Sequence, residues 1–292
     1  MRIVVTGAQG QLGHEVVSLG AAQHEMIGLG RAQLDLTDAV AVREVLTALQ
    51  PDVIIHAAAY TAVDAAESDV EQAFAVNAHS SRQVAMIAQE LGARLCYVST
   101  DYVFDGKATS PYREDATPDP QTVYGQSKWL GERLVAQLCA RHFIVRTSWV
   151  YGVHGKNFVK TMLELATKHK TLRVVCDQLG APTYTADLAA FLLELTATEQ
   201  YGVYHASNAG VCSWYEFAKE IFVQAELDVT VEPCTSAEFV RPAPRPSYSV
   251  LDHQAQRTRG FSELRPWREG LHAFMERYRQ TEEWALYVAD RS

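Results

Sequence analysis

The sequence predicts an α/β protein, a doubly wound parallel sheet followed by a smaller C-terminal part, and three observations carry this. Five short apolar runs recur through the first 150 residues, each nearly continuous in hydrophobicity, as in strands buried on both faces. Amphipathic stretches of helical period separate them. The first run also leads directly into a glycine-rich turn and a helix. Such alternation implies right-handed crossovers and a sheet covered on both sides.

The predicted strands are residues 2–6, 25–30, 52–58, 94–100 and 142–148, all rich in β-branched or aromatic residues. The predicted helices between them cover 11–20, 38–49, 67–91 and 123–140. Thr37 and Asp38 are cap candidates for the second helix, and Pro51 follows its last turn. Beyond residue 150 the rhythm loosens. Residues 157–170, 185–197 and 213–227 read as amphipathic helices, 172–176 and 201–207 as short strands, and 241–252 as an extended, proline-bearing connection. The expected division is a Rossmann-type nucleotide-binding domain over 1–150 and a mainly substrate-binding part over 151–292, with some segments returning to the first sheet.

Bulk properties exclude several classes. A formal charge of −9 and a pI near 5.6 argue against general nucleic-acid binding. No apolar run reaches the roughly 20 residues of a membrane span, and the N-terminus begins with a strand rather than a signal-peptide core. Five scattered cysteines without a C-x-x-C pair suggest reduced thiols, and hence a cytoplasmic protein. None of the ten histidines shows ligand spacing on a helix face, so no metal is expected.

In "VVTGAQGQLG", Gly7, Gly10 and Gly13 stand between the first strand and the first helix. Glycines there allow a tight turn and close approach of a pyrophosphate, which the helix N-terminus favours electrostatically. The spacing is G-x-x-G-x-x-G rather than G-x-G-x-x-G, but strand before and helix after is the expected context. The second strand ends at Arg31, where an NAD-selective site carries an acid. A solvated loop arginine is the alternative. The expectation is NADP(H), with NAD(H) also tolerated; Asp35 comes too late to be the ribose acid and suits the adenine end.

The fourth strand closes with Ser99 and Thr100, so a hydroxyl faces the cleft beyond the carboxyl ends of the strands. Tyr124 and Lys128 follow, one turn apart on one face of a helix. A free tyrosine has a pKa of about 10, and a nearby ammonium is expected to lower it towards neutrality. Lys128 can also hold a nicotinamide ribose, and Thr100 can hydrogen-bond a substrate oxygen. The set would protonate an oxygen while a hydride reaches its carbon.

The glycine pattern, Thr100 and the Tyr124-x-x-x-Lys128 pair resemble the extended short-chain dehydrogenase/reductase superfamily. More narrowly, "AAYTAVDAAE", "STDYVFDG", "VYGQSK", "RTSWVYG", "NFVKTM", "DQLGAPTY" and "RPSYSVLD" are similar, in order, to the dTDP-4-dehydrorhamnose reductase family. The resemblance implies NAD(P)H-dependent reduction of the C4 ketone of dTDP-4-dehydro-L-rhamnose. Tyr124 would be the general acid, Lys128 its electrostatic and cofactor partner, and Thr100 the polarising hydroxyl. Gly10, Gln11 and Leu12 would line the pyrophosphate, Asp35 and Leu36 the adenine, and Ala59, Tyr60 and Thr61 the cofactor beyond the third strand. Thr61, Val63, Asp101, Tyr102 and Trp149 would face the sugar nucleotide, with Trp149 stacking on the sugar, and Arg245 is a candidate diphosphate ligand. Some family members hold Mg²⁺ at a dimer contact through glutamates. Glu15 is present here, but "TADLAA" after "APTY" has none, so a monomer or weak homodimer is expected.

Two rivals follow from the same features. One is reduction of another 4-keto deoxysugar nucleotide. The other is a non-catalytic NADP-binding regulatory subunit of the methionine adenosyltransferase beta type. A dehydratase is disfavoured because Thr100 is followed by Asp101 and Tyr102, not Asp and Glu.

Overall fold

The computed structural model describes residues 1–289. Six strands form one parallel sheet: β1 (Arg2–Thr6), β2 (Glu25–Leu29), β3 (Val53–His56), β4 (Arg94–Thr100), β5 (His142–Thr147) and β6 (Gly202–His205). Their order is β6-β5-β4-β3-β1-β2. The five strands expected from apolar runs are all present, and the 201–207 segment supplies the sixth beside β5. Ile3, Val4, Val5, Ile54 and Ile55 are fully buried, which explains why these runs do not alternate. The chain leaves β1 for β2 on one side and returns as β3 on the other. This reversal opens a crevice at the carboxyl ends of β1 and β3.

The principal helices are α1 (Gln11–Gly20), α2 (Ala39–Leu49), α3 (Ser80–Leu91), α4 (Val123–Leu138), α5 (Phe158–Lys168), α6 (Thr185–Thr196), α7 (Trp214–Gln224) and α8 (Trp267–Tyr278). Val16 of α1 and Leu188 and Leu192 of α6 bury one face of the sheet. Val42 and Leu46 of α2, Val84 and Ile87 of α3 and Val135 of α4 bury the other. A second core joins Tyr151, Leu163, Phe217, Ile221, Trp267 and Phe274 from the C-terminal half. Asp38 caps α2 by accepting from the backbone N–H groups of Val40 and Ala41. Among the described residues no helix is long and apolar enough to cross a membrane.

The helix expected over 67–91 is divided. Asp69 leaves helical geometry (φ −114°, ψ 54°), and a π-helical turn at Ala75–His79 precedes α3. Asn77 in that turn accepts from Tyr60 N–H at 2.8 Å and donates to Tyr60 O at 3.1 Å and to Ser127 Oγ at 2.9 Å. Its carbonyl accepts from the hydroxyls of Ser81 (2.8 Å) and Tyr97 (3.0 Å). Side chains thus satisfy the wider turn. The fourth predicted helix stops at Leu138 because Cys139 is extended.

Candidate active site

One cleft of about 1230 Å³ lies at the carboxyl ends of the strands, and every residue singled out from the sequence as a site candidate lines it. At one end, Gly7 has φ +70°, and a Cβ there would lie 2.7 Å from the backbone of Ala58 after β3. A Cβ on Gly13 would lie 2.2 Å from the Gly7 carbonyl. Only glycine permits this packing of turn, helix and neighbouring strand. Gly10 starts α1 with no side-chain cap, and no acid stands in the first turn, so the positive helix end is open to an anion. Gln11 and Leu12 continue the wall, and the Gln11 amide oxygen accepts from Asn157 at 3.0 Å. Arg31 and Asp35 border the same end. Hydrogen bonds from the Thr37 hydroxyl (2.7 Å) and N–H (2.9 Å) hold the Asp35 carboxyl below its usual range, and Arg31 adds to this. These residues fit a dinucleotide carrying phosphates.

The other end is built on β4 and α4. Thr122 caps α4 by accepting from Gly125 N–H at 3.0 Å. Two glycines in "VYGQSKWLGE" let this helix come close. A Cβ on Gly125 would lie 2.2 Å from the Tyr102 carbonyl, and one on Gly131 would lie 2.3 Å from the Tyr97 hydroxyl. Lys128 is therefore driven against β4. It is fully buried, donates to the Val98 carbonyl at 2.7 Å and lies 4.0 Å from the centroid of the Tyr97 ring.

The Thr100 hydroxyl lies beside the Tyr124 phenol and donates to Asp101 Oδ1 at 2.9 Å. The expectation that Lys128 would pull the Tyr124 pKa towards neutrality is overturned. Burial pushes Tyr124 up to about 12; the Thr100 hydrogen bond opposes the shift and the Asp101 charge reinforces it. Burial acts on the lysine instead, lowering Lys128 to about 7 against the opposing pull of Glu132. The physical reason is geometric, because the ammonium turns to β4. Behind it, burial and then the Lys128 charge keep His56 neutral, with a pKa of about 3. Asp101 is itself raised to about 6, chiefly by burial, against the opposing hydroxyls of Thr100 and Ser249.

On the substrate side, Ala59, Tyr60, Thr61 and Val63 run along the loop after β3, and Tyr102 meets Tyr124 edge-on at 5.5 Å. Trp149 has φ +47°, and its ring is stacked at 3.6 Å on Trp214. The expected sugar-stacking face is therefore shared with a second tryptophan. Arg245 donates to Asp64 Oδ2 at 2.9 Å, and Arg241 approaches the same oxygen at 3.8 Å. The arginine expected at a diphosphate is paired to a carboxylate at the cleft edge. Sequence reasoning did not pick out Asp64, Arg241 or Trp214. Trp214 was hidden inside an amphipathic helix, and the two arginines of "RPAPRPS" gave no sign of which carboxylate they meet. Glu15 is buried and pairs with Arg277.

Comparison with known proteins decides the family. Residues 1–280 match the family model described as RmlD substrate binding domain. A dTDP-4-dehydrorhamnose reductase of Streptomyces griseus is 45% identical over 281 residues, covering 92% of this chain and 91% of that protein. The chain belongs to the dTDP-4-dehydrorhamnose reductase family. A second family relative, a probable dTDP-4,6-dihydroxy-2-methyloxan-3-one 4-ketoreductase of Streptomyces antibioticus, is 41% identical over 278 residues, covering 93% of each chain. The crystal structure of a Bacillus anthracis dTDP-4-dehydrorhamnose reductase in complex with NADP superposes with a TM-score of 0.93 at 44% identity, covering 94% of this chain and 99% of that one.

Proposed function

We propose that this chain uses NADPH, and less effectively NADH, to reduce the C4 ketone of dTDP-4-dehydro-L-rhamnose to dTDP-L-rhamnose. The observation that carries the reading is a single cleft joining the Gly7–Gly13 turn to Tyr124, Thr100 and Asp101, with Thr100 donating to Asp101. The turn and the open start of α1 would hold the pyrophosphate, Asp35 and Leu36 the adenine, and Arg31 a 2′-phosphate. When bound, the cofactor supplies a hydride for the carbonyl carbon.

Tyr124 then gives its proton to the carbonyl oxygen. A phenol held at about 12 is protonated at neutral pH. It is still far more acidic than a sugar alcohol, whose alkoxide is roughly as basic as hydroxide. Transfer in the direction of reduction is downhill without a lowered tyrosine pKa. Thr100 fixes the oxygen, and Lys128, once opposite a ligand, supplies positive charge and a ribose contact. Arg245 and Arg241 would exchange Asp64 for the substrate diphosphate. Residues 151–292 thus mainly serve the sugar nucleotide.

The test is substrate-dependent loss of reduced-nicotinamide absorbance with dTDP-4-dehydro-L-rhamnose. NADPH binding without any oxidation would reject catalysis in favour of a regulatory subunit. The relative named for a different 4-keto sugar supports a second reading, reduction of another deoxysugar nucleotide. Higher kcat/KM for another member of a dTDP-4-keto-sugar panel would select it.

A further inference from the structure

We propose that Glu132 is a positioning residue for the reduction, holding α4 against the ends of β4 and β5 and setting a negative charge one turn beyond Lys128. Its carboxylate is only 1% exposed, yet it is saturated with donors. Oε1 accepts from Ser99 Oγ at 2.5 Å and from Arg146 Nε at 2.9 Å, and Oε2 accepts from the Arg146 fork at 2.7 Å. Ser99 and Arg146 are register partners on adjacent strands, and each immediately precedes a threonine of the cleft, Thr100 or Thr147. One carboxylate therefore fixes the Thr100 strand end relative to the helix that carries Tyr124 and Lys128.

Arg146 is anchored in turn. It donates to the Glu114 carbonyl and to neutral His205, each at 3.3 Å, and packs 5.1 Å from the Phe104 ring. A buried ion pair adds little net stability over apolar side chains of similar shape, so this one is better explained by position than by stability. The groups facing Lys128 are His56 from β3, Tyr97 and the Val98 carbonyl from β4, and Glu132 from its own helix. Burial keeps His56 unprotonated and Tyr97 as a phenol, so of these only Glu132 carries negative charge.

The inference rests on the role proposed for Lys128. The test is kcat/KM for NADPH, measured with the full chain across neutral pH. Removing the charge in Glu132→Gln lowers the Lys128 pKa and moves the alkaline limb to lower pH. For a shift of one unit from about 7, the loss is about ninefold at pH 8 but only about twofold at pH 6. Glu132→Asp keeps the charge and leaves the limb in place. If Glu132→Gln does not fold, Glu132→Gln with Arg146→Gln removes the whole ion pair; the limb is then expected to move the same way by less, and an unmoved limb overturns the inference. An equal loss at both pH values would show a merely structural role and overturn the inference. Full turnover by Lys128→Met would instead remove the reading of Lys128 on which the inference depends.

Discussion

Replacing Lys128 by methionine is expected to make the protein more stable while abolishing most turnover. The magnitude follows from the environment of the side chain. Burial lowers the Lys128 pKa from 10.5 to about 7, and each unit corresponds to about 1.4 kcal/mol, so holding this ammonium costs on the order of 5 kcal/mol. Methionine avoids that cost with a similar apolar stem. It loses the 2.7 Å hydrogen bond to the Val98 carbonyl, worth about 2 kcal/mol with a charged donor. The net gain is about 3 kcal/mol, or roughly 5 °C for a chain of this size. The assay is denaturation of both proteins without cofactor from pH 6 to pH 10. Below pH 7 native and unfolded Lys128 both carry the proton, so the gap is full. Between about 7 and 10.5 only the unfolded lysine binds a proton, so wild-type stability rises with pH and the gap closes. The Asp101 titration is common to both proteins and cancels. A less stable variant, or a gap independent of pH, would refute the reasoning.

Tyr124→Phe removes only the hydroxyl proposed as the proton donor. It is expected to lower kcat by about 10²–10⁴-fold with little change in NADP affinity by calorimetry; near-wild-type kcat would reject the assignment. Arg31→Ala should raise KM for NADPH more than for NADH, and equal effects in steady-state assays would remove Arg31 from the 2′-phosphate. In Gly13→Ala the new methyl meets the Gly7 carbonyl at 2.2 Å. The clash distorts the turn at a cost of about 1–3 kcal/mol, expected as a cofactor Kd raised roughly tenfold or more. An unchanged Kd would mean that the turn does not touch the pyrophosphate.

What the sequence disclosed and what it withheld divide by distance along the chain. The strands were legible because burial on both faces leaves an apolar run of about five residues, and Tyr124 with Lys128 because one helical turn brings them together. The pairings that finish the site join distant segments. Arg245 meets Asp64 across 181 positions, and Trp149 meets Trp214 across two elements. The π turn at Asn77 is unreadable locally because its partners are Tyr60, Tyr97 and Ser127. The tyrosine pKa went the wrong way for the same reason. Spacing gives proximity to an ammonium, whereas burial and the direction in which that ammonium turns belong to the tertiary structure.

Burial drives Tyr124 and Lys128 towards their neutral forms together, and this suits a reductase better than a preformed phenolate would. A phenolate could not donate, and a permanently charged lysine would carry the full cost of burial before any ligand arrived. With Lys128 at about 7 and Tyr124 at about 12, the free site at neutral pH keeps the Tyr124 phenol protonated and Lys128 about half charged. Anionic ligand phosphates entering the cleft would favour the ammonium, so the charge proposed to assist the reaction would grow as the site fills. The glycines at 125 and 131 fix this arrangement. Each weakens the helix by about 1 kcal/mol relative to alanine, and each occupies a place where a methyl would collide with β4 or the turn after it. A helix held further away would leave Lys128 hydrated and near its ordinary pKa, and the coupling between ligand charge and lysine charge would be lost.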